Sequence, residues 1–293
     1  MPNDLTQSAQ NECSPNIRFL LLAACCALAF PGCEPEPDSV YDDELGLQAA
    51  SVEPGALAGS FGVKTNSLGI AELPIVGEQF TGGSSYLLLE RTWDAEAETY
   101  TQEYKLCGGR IFDTDVSSSF IPNSTWRLAE TFPPKVLEID HALGTYDADD
   151  YLELWGVRDL PEPYSTPFPE DGPAAKEEPH ASRIFDVEND GHLGATMENY
   201  GVIEAEVYFI QRRTSGFHGL ILSPDELMGF LDWNKVQITL DASNPLLNGN
   251  LEQAHHPDPK EHWFHEVRLV DGANCDDVVA AVENEELSHL APF

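Results

Sequence analysis

The sequence predicts an all-β fold: an antiparallel barrel or curled sandwich, a calycin-like barrel among the options, with one short C-terminal helix. Three observations lead there. Apolar and polar residues alternate with period two through most of the body. The alternating stretches follow one another in hairpin order, and closing such a sheet removes its exposed edges. Only one segment, near the C-terminus, carries helical signals. No internal repeat of fixed period is present, which argues against a solenoid or propeller.

Taken in order, Ser60–Asn66 and Gly69–Val76 form a candidate hairpin across Ser67-Leu68-Gly69. Ser84–Asp94 and Glu98–Cys107 form a second, joined by a short acidic turn, with Tyr100, Gln102 and Tyr104 on one face. Tyr151–Val157 reads as a further strand. Pro161–Ala181 contains six prolines and reads as a long surface loop. Ile203–Arg212 alternates cleanly, with Val207 and Phe209 opposite Tyr208 and Ile210, and pairs with Phe217–Leu222 across Arg213-Thr214-Ser215-Gly216. Lys235–Leu240 sets Val236, Ile238 and Leu240 against Gln237 and Thr239. Trp263–Val270 sets His265, Val267 and Leu269 against Phe264, Glu266 and Arg268. The expected total is nine to eleven strands. Cys275–Glu286 is the helix: Asn274 serves as N-cap, Asp276 and Asp277 favour its positive end, and Val278, Val279 and Val282 form its apolar side.

The N-terminus reads as an address. Phe19–Phe30 is an unbroken apolar run of 12 residues, too short to span a bilayer and of signal-peptide length. It ends in Phe30-Pro31-Gly32-Cys33, which resembles a bacterial lipobox, with Phe30 in place of the usual Leu. That resemblance implies a lipoprotein signal peptide over 1–32 and a lipid on Cys33. The chain would then be anchored to the outer membrane, on its periplasmic or surface side. Residues 33–58, rich in acid and proline at their start, read as a disordered tether, and 59–293 as a single β domain. With the signal and Cys33 set aside, Cys107 and Cys275 remain as a pair in an oxidising compartment, where a disulfide is the expected state. Closing a loop of about 168 residues is worth roughly 5 kcal/mol in the chain-entropy model.

The net charge of −36 excludes nucleic acid as a partner, since phosphate binding needs basic patches. It favours solubility, and calcium could relieve part of the self-repulsion. The segment Asp186–Thr196 is the most specific motif. Asp186, Glu188 and Asp190 alternate, Gly191 permits a sharp turn, and Gly194 and Thr196 follow. Carboxylates spaced by two along a turning loop can converge on calcium, with His192 adding its backbone carbonyl. Position twelve is Met197, and β-type residues flank both sides, so this is no EF-hand. The other reading is an acidic turn or bulge in which Gly191 and Gly194 supply positive φ.

These residues resemble a segment of the form D-x-D-x-D-G-x-P-G-x-T found in uncharacterised bacterial outer-membrane lipoproteins. Asp186, Glu188, Asp190, Gly191, Gly194 and Thr196 match in place, with Glu188 for the second Asp and Leu193 for Pro. The resemblance implies location and architecture; it carries no activity.

Other constellations are weaker. Asp147, Asp149 and Asp150, followed by Glu153, could lend oxygen ligands or form a solvated turn. His255, His256, His262 and His265 crowd together without a recognised metal spacing. No nucleophile elbow, S-x-x-K motif or phosphate-cradling glycine loop occurs. The expected function is a non-enzymatic cell-envelope lipoprotein, a binding or scaffolding module with a structural calcium. One rival is a carrier of a small apolar ligand, with Tyr100, Tyr104, Phe209 and Trp263 lining a barrel lumen. The other is a carboxylate-dependent hydrolase. An open cavity inside a closed barrel favours the carrier, a filled core the scaffold, and carboxylates gathered in a cleft the hydrolase.

Overall fold

The structure is a computed structural model that describes residues 47–73, 77–114, 116–131, 134–250 and 253–287. Cys33 and the signal region lie outside the described residues. The alternating stretches become twelve strands in one sheet. These are β1 (Gly59–Leu73), β2 (Gly77–Asp94), β3 (Thr99–Ile111), β4 (Ser117–Phe120), β5 (Glu130–Thr131), β6 (Lys135–Asp140) and β7 (Thr145–Trp155). They continue as β8 (Ala195–Gly201), β9 (Ala205–Ser223), β10 (Glu226–Ala242), β11 (Gln253–His255) and β12 (Trp263–Arg268). The helices are α1 (Asn123–Trp126), α2 (Gly172–Ala175) and α3 (Cys275–Glu283).

Eight of the strands close a ring in chain order: β1, β2, β3, β6, β7, β9, β10 and β12, which returns to β1. Every pairing is antiparallel, so this is an up-and-down barrel and its wall has no free edge. The expected barrel and the single helix at the C-terminal end are both present. β4, β8 and β11 add to the wall at one end only.

Two expected turns are absent. β1 runs straight through Ser67-Leu68-Gly69, which pair with Gly83, Gly82 and Thr81 on β2. A Cβ on Gly82 would sit 2.2 Å from the Ser67 carbonyl oxygen, so glycine there lets the two long strands stay in register. β9 likewise runs through Arg213-Thr214-Ser215-Gly216. That tetrapeptide has turn composition, but Arg213, Thr214 and Ser215 pair on both sides, with β7 and β10, and Gly216 pairs with β10 opposite a bulge in β7. Two-sided pairing in a closed wall outweighs local turn preference.

The barrel has a filled half and an open half. In the filled half Phe61, Leu89, Tyr100, Tyr146, Phe217 and Phe264 interdigitate out of water. Residues 50–58 cap this end. The expected tether therefore stops short of residue 58: Val52 and Leu57 are buried, and Leu57 donates its N–H to the Tyr100 hydroxyl at 3.2 Å. Arg268 fixes the cap by donating to the carbonyls of Ala56 and Ala58.

Two apolar clusters lie outside the ring. α3 packs Val278 and Ala281 on Leu88, and Leu287 joins them. Asn274 and Asp277 exchange the hydrogen bonds of a capping box. Cys107 and Cys275 form the expected disulfide, which ties α3 to β3. On the opposite wall Leu152, Leu154, Ile210 and Ile238 face outward and are covered by Leu160, Phe168, Ala175 and Ile184 from the proline-rich loop. Arg212 holds that loop by donating to the Thr166 carbonyl at 2.8 Å and lying over Phe168. Each fully covered Leu or Ile contributes about 1.5–3 kcal/mol. An apolar outer face here leaves the opposite, polar face of β10 to the interior.

Candidate functional site

Strand register builds the site. Glu153 on β7 lies beside Arg213 on β9, and Arg213 beside Lys235 on β10. The next inward row is Trp155, Gln211 and Gln237, and the one beyond it contains Phe209 and Thr239. All eight side chains line a cavity of about 330 Å³ in the open half of the lumen. That is within the range of small-molecule sites, about 300–1,000 Å³.

Arg213 forms the floor. Its guanidinium crosses the lumen and donates to Ser85 Oγ at 3.1 Å and Ser67 Oγ at 3.4 Å, on the far wall. Glu153 is buried, and burial pushes its carboxyl pKa up while Arg213 pulls it back. Lys235 is pushed down to about 8 by burial, with the Arg213 charge adding to the effect. Among the described residues the Lys235 ammonium makes no hydrogen bond or ion pair. Trp155 Nε1 faces the Glu153 carboxyl, and among the described residues Arg213 Nε and Gln253 Oε1 are buried without hydrogen-bond partners. Toward the mouth Val207, Met197, Ile203 and Leu247 supply apolar wall, interspersed with polar Asn199, Ser119 and Asn250. At the rim Val202 is 71% and Leu246 51% exposed.

α1 closes one side of the cavity. Trp126 packs edge-on against Trp155, with ring centres 5.1 Å apart, and its Nε1 donates to the Ile121 carbonyl. Gly109 makes room for it, since a Cβ there would lie 2.6 Å from the Trp126 ring.

The acidic motif stands beside this wall as a self-bonded loop. Asp186 accepts the N–H groups of Asp190 and Gly191, at 3.2 and 2.8 Å. Asp190 accepts from the His192 N–H at 2.9 Å and the Thr196 hydroxyl at 3.0 Å. Glu188 accepts from the Thr196 N–H at 3.1 Å, and burial raises its pKa. The His192 ring stacks on Tyr208 at 4.0 Å. Gly191 and Gly194 both have φ of 94°. Val187 reaches the core, so the loop is anchored to the barrel. Among the described residues no three His, Cys, Asp or Glu side chains gather into a metal-binding group.

The remaining expected sites disperse. Of the four proposed lumen aromatics, Phe209 lines the cavity, while Tyr100 and Tyr104 belong to the filled half. Trp263 faces outward beneath Lys64, because β12 directs Phe264 and Glu266 inward. His262 accepts from Trp233 Nε1 at 3.1 Å, and His255 stacks on Trp233 at 4.2 Å, so both serve packing. Asp147 and Asp149 surround His218 on the outer face, whereas Glu153 turns inward. No family model, curated protein or solved structure matches the chain.

Proposed function

We propose that this chain is a lipid-anchored cell-envelope protein whose barrel receives a small molecule in its open half. The lipid would sit on Cys33 and the anchor in the outer membrane. The observation that carries the reading is the division of the lumen: one half packed solid, the other holding a cavity of about 330 Å³ with a charged floor and apolar side chains above it. A purely scaffolding barrel gains nothing from an unfilled interior, because packed interiors are more stable than hollow ones. A carboxylate-dependent hydrolase draws no support, since Glu153 has Arg213 and Trp155 as lumen neighbours and Glu72 is the other carboxylate of the lining.

The test uses the full chain carrying Cys33→Ser, which removes the acceptor for the lipid. The neutral probe N-phenyl-1-naphthylamine should gain fluorescence on binding wild-type lumen. Gln237→Trp, which fills the middle row, should abolish the gain and leave the circular dichroism unchanged. Equal fluorescence from both proteins would reject a lumen site.

A further inference from the structure

Four ionisable side chains line the cavity: Glu72 near the rim, and Glu153, Arg213 and Lys235 at the floor. The floor therefore has two bases and one acid. This is unexpected in a chain of net charge −36, whose outer field repels anions. Arg213 has Glu153 beside it in the strand register and feels its charge, but forms no close ion pair with it, and no acid of the floor remains for Lys235. Arg213 spends its terminal nitrogens on two serine hydroxyls, and its Nε has no partner. The Lys235 ammonium makes no hydrogen bond or ion pair among the described residues. Buried cations are normally paired, because an unpaired one bears its desolvation cost alone. Such an arrangement is retained where a ligand completes it.

We propose that the lumen takes an amphiphile with a single carboxylate head, seated on Arg213 and Lys235, with its apolar body directed toward Val207, Met197 and Leu247 at the mouth. This rests on the carrier reading and names its ligand class. The net positive charge of the floor fixes the orientation. A head-out pose would leave two bases against one acid beneath an alkyl chain, whereas the head-in pose compensates the extra charge and covers apolar wall. Arg213 is already held across the lumen by Ser67 and Ser85, so it is preorganised for an oxyanion. Glu153, whose pKa burial raises, can share a proton with a second carboxylate where a fully ionised acid would repel it. Screening within about 8 Å at physiological salt keeps the outer acidic surface from cancelling this local field.

The experiment is displacement of N-phenyl-1-naphthylamine from the full chain carrying Cys33→Ser. The competitors share one chain length: decanoate, decanol and decyltrimethylammonium. Decanoate should displace the probe at about tenfold lower concentration than decanol, as expected for one charge-assisted contact set. The ammonium should be the weakest of the three. Lys235→Met and Arg213→Met should each shrink the ratio of decanol to decanoate concentration at half displacement, read in each variant against its own probe affinity, with circular dichroism showing that the variants fold. Equal displacement by decanoate and decanol, a preference for the ammonium, or a decanoate advantage that survives in both variants overturns the carboxylate assignment and leaves the carrier reading standing. Failure of the probe to bind wild type, or its persistence in Gln237→Trp, overturns the carrier reading and the assignment with it.

Discussion

Arg213 lies directly opposite Glu153 in the strand register, yet its guanidinium hydrogen-bonds across the lumen to Ser67 and Ser85. The natural cross-strand partner is passed over, and a floor is made instead. Lys235, on the other side of Arg213, is left beside a second positive charge. This row is a place where stability has been given up, the usual mark of a site held ready for something else.

That cost is measurable. The Lys235 ammonium has a pKa near 8 in the barrel, against 10.5 in the unfolded chain. Below pH 8 both states hold the proton, and the folded state bears the full cost of the buried charge. Between the two values the unfolded chain binds more protons, so stability should rise with pH. Lys235→Met should remove that rise and raise stability near pH 7 by roughly 1–2 kcal/mol, allowing for partial water access. Urea midpoints at pH 7 and 9.5 check both statements. A variant less stable than wild type at pH 7 contradicts them.

In the filled half the opposite rule applies. Arg91 pairs with Glu266, both side chains fully out of water, and also donates to Gln102. Its guanidinium lies between Phe61 and Tyr146, at 4.6 and 5.0 Å from the ring centres. Removing one partner strands the other, so Arg91→Met should cost about 3–5 kcal/mol. Arg91→Met with Glu266→Leu should recover a large part of it, giving a coupling energy well outside additivity. Urea denaturation of the four proteins of that cycle decides the point, and additive losses count against the pair.

Much of the barrel was legible because alternation survives in closed sheets. Tyr100, Gln102 and Tyr104 share an inward face as their spacing says. What alternation does not carry is the sign of a face. Val236, Ile238 and Leu240 alternate against Lys235, Gln237 and Thr239, but the apolar set faces outward under the proline-rich loop and the polar set lines the lumen. The floor itself is non-local, since only barrel closure aligns residues 153, 213 and 235. One signal was available: carrying the parity of Val207 and Phe209 through to Phe217 places Arg213 inside. Turn-like composition at 213–216 masked it. The acidic loop was legible in its glycines, because positive φ is a local property, and not in its donors, which depend on how the loop folds back.

Those glycines are not equivalent. Gly191 and Gly194 share a φ of 94°, but a Cβ at Gly191 meets open space, whereas one at Gly194 would lie 2.5 Å from the Phe209 carbonyl oxygen. Gly191→Ala should therefore cost only the conformational penalty, about 1 kcal/mol. Gly194→Ala adds a backbone collision where the loop meets β9 and should cost about 2 kcal/mol or more. Thermal midpoints rank the two, and equal losses would show that the contact with β9 yields freely.

The same loop sets the terms for calcium. Asp186 and Asp190 already spend both oxygens on internal donors, and one Glu188 oxygen holds the Thr196 N–H. A cation would have to share these oxygens with their donors and draw further ligands from elsewhere, since calcium takes about six to eight oxygens. The expected outcome is a thermal midpoint unchanged between millimolar calcium and chelator. Asp190→Ala should lower it in both conditions by a few degrees, as loss of two hydrogen bonds worth about 1 kcal/mol each predicts. A midpoint raised by calcium in wild type and not in Asp190→Ala reverses this, because binding to the folded state alone stabilises by mass action. In that case the carboxylates hold the ion with their remaining lone pairs, and the segment is a cation site built on a self-bonded turn.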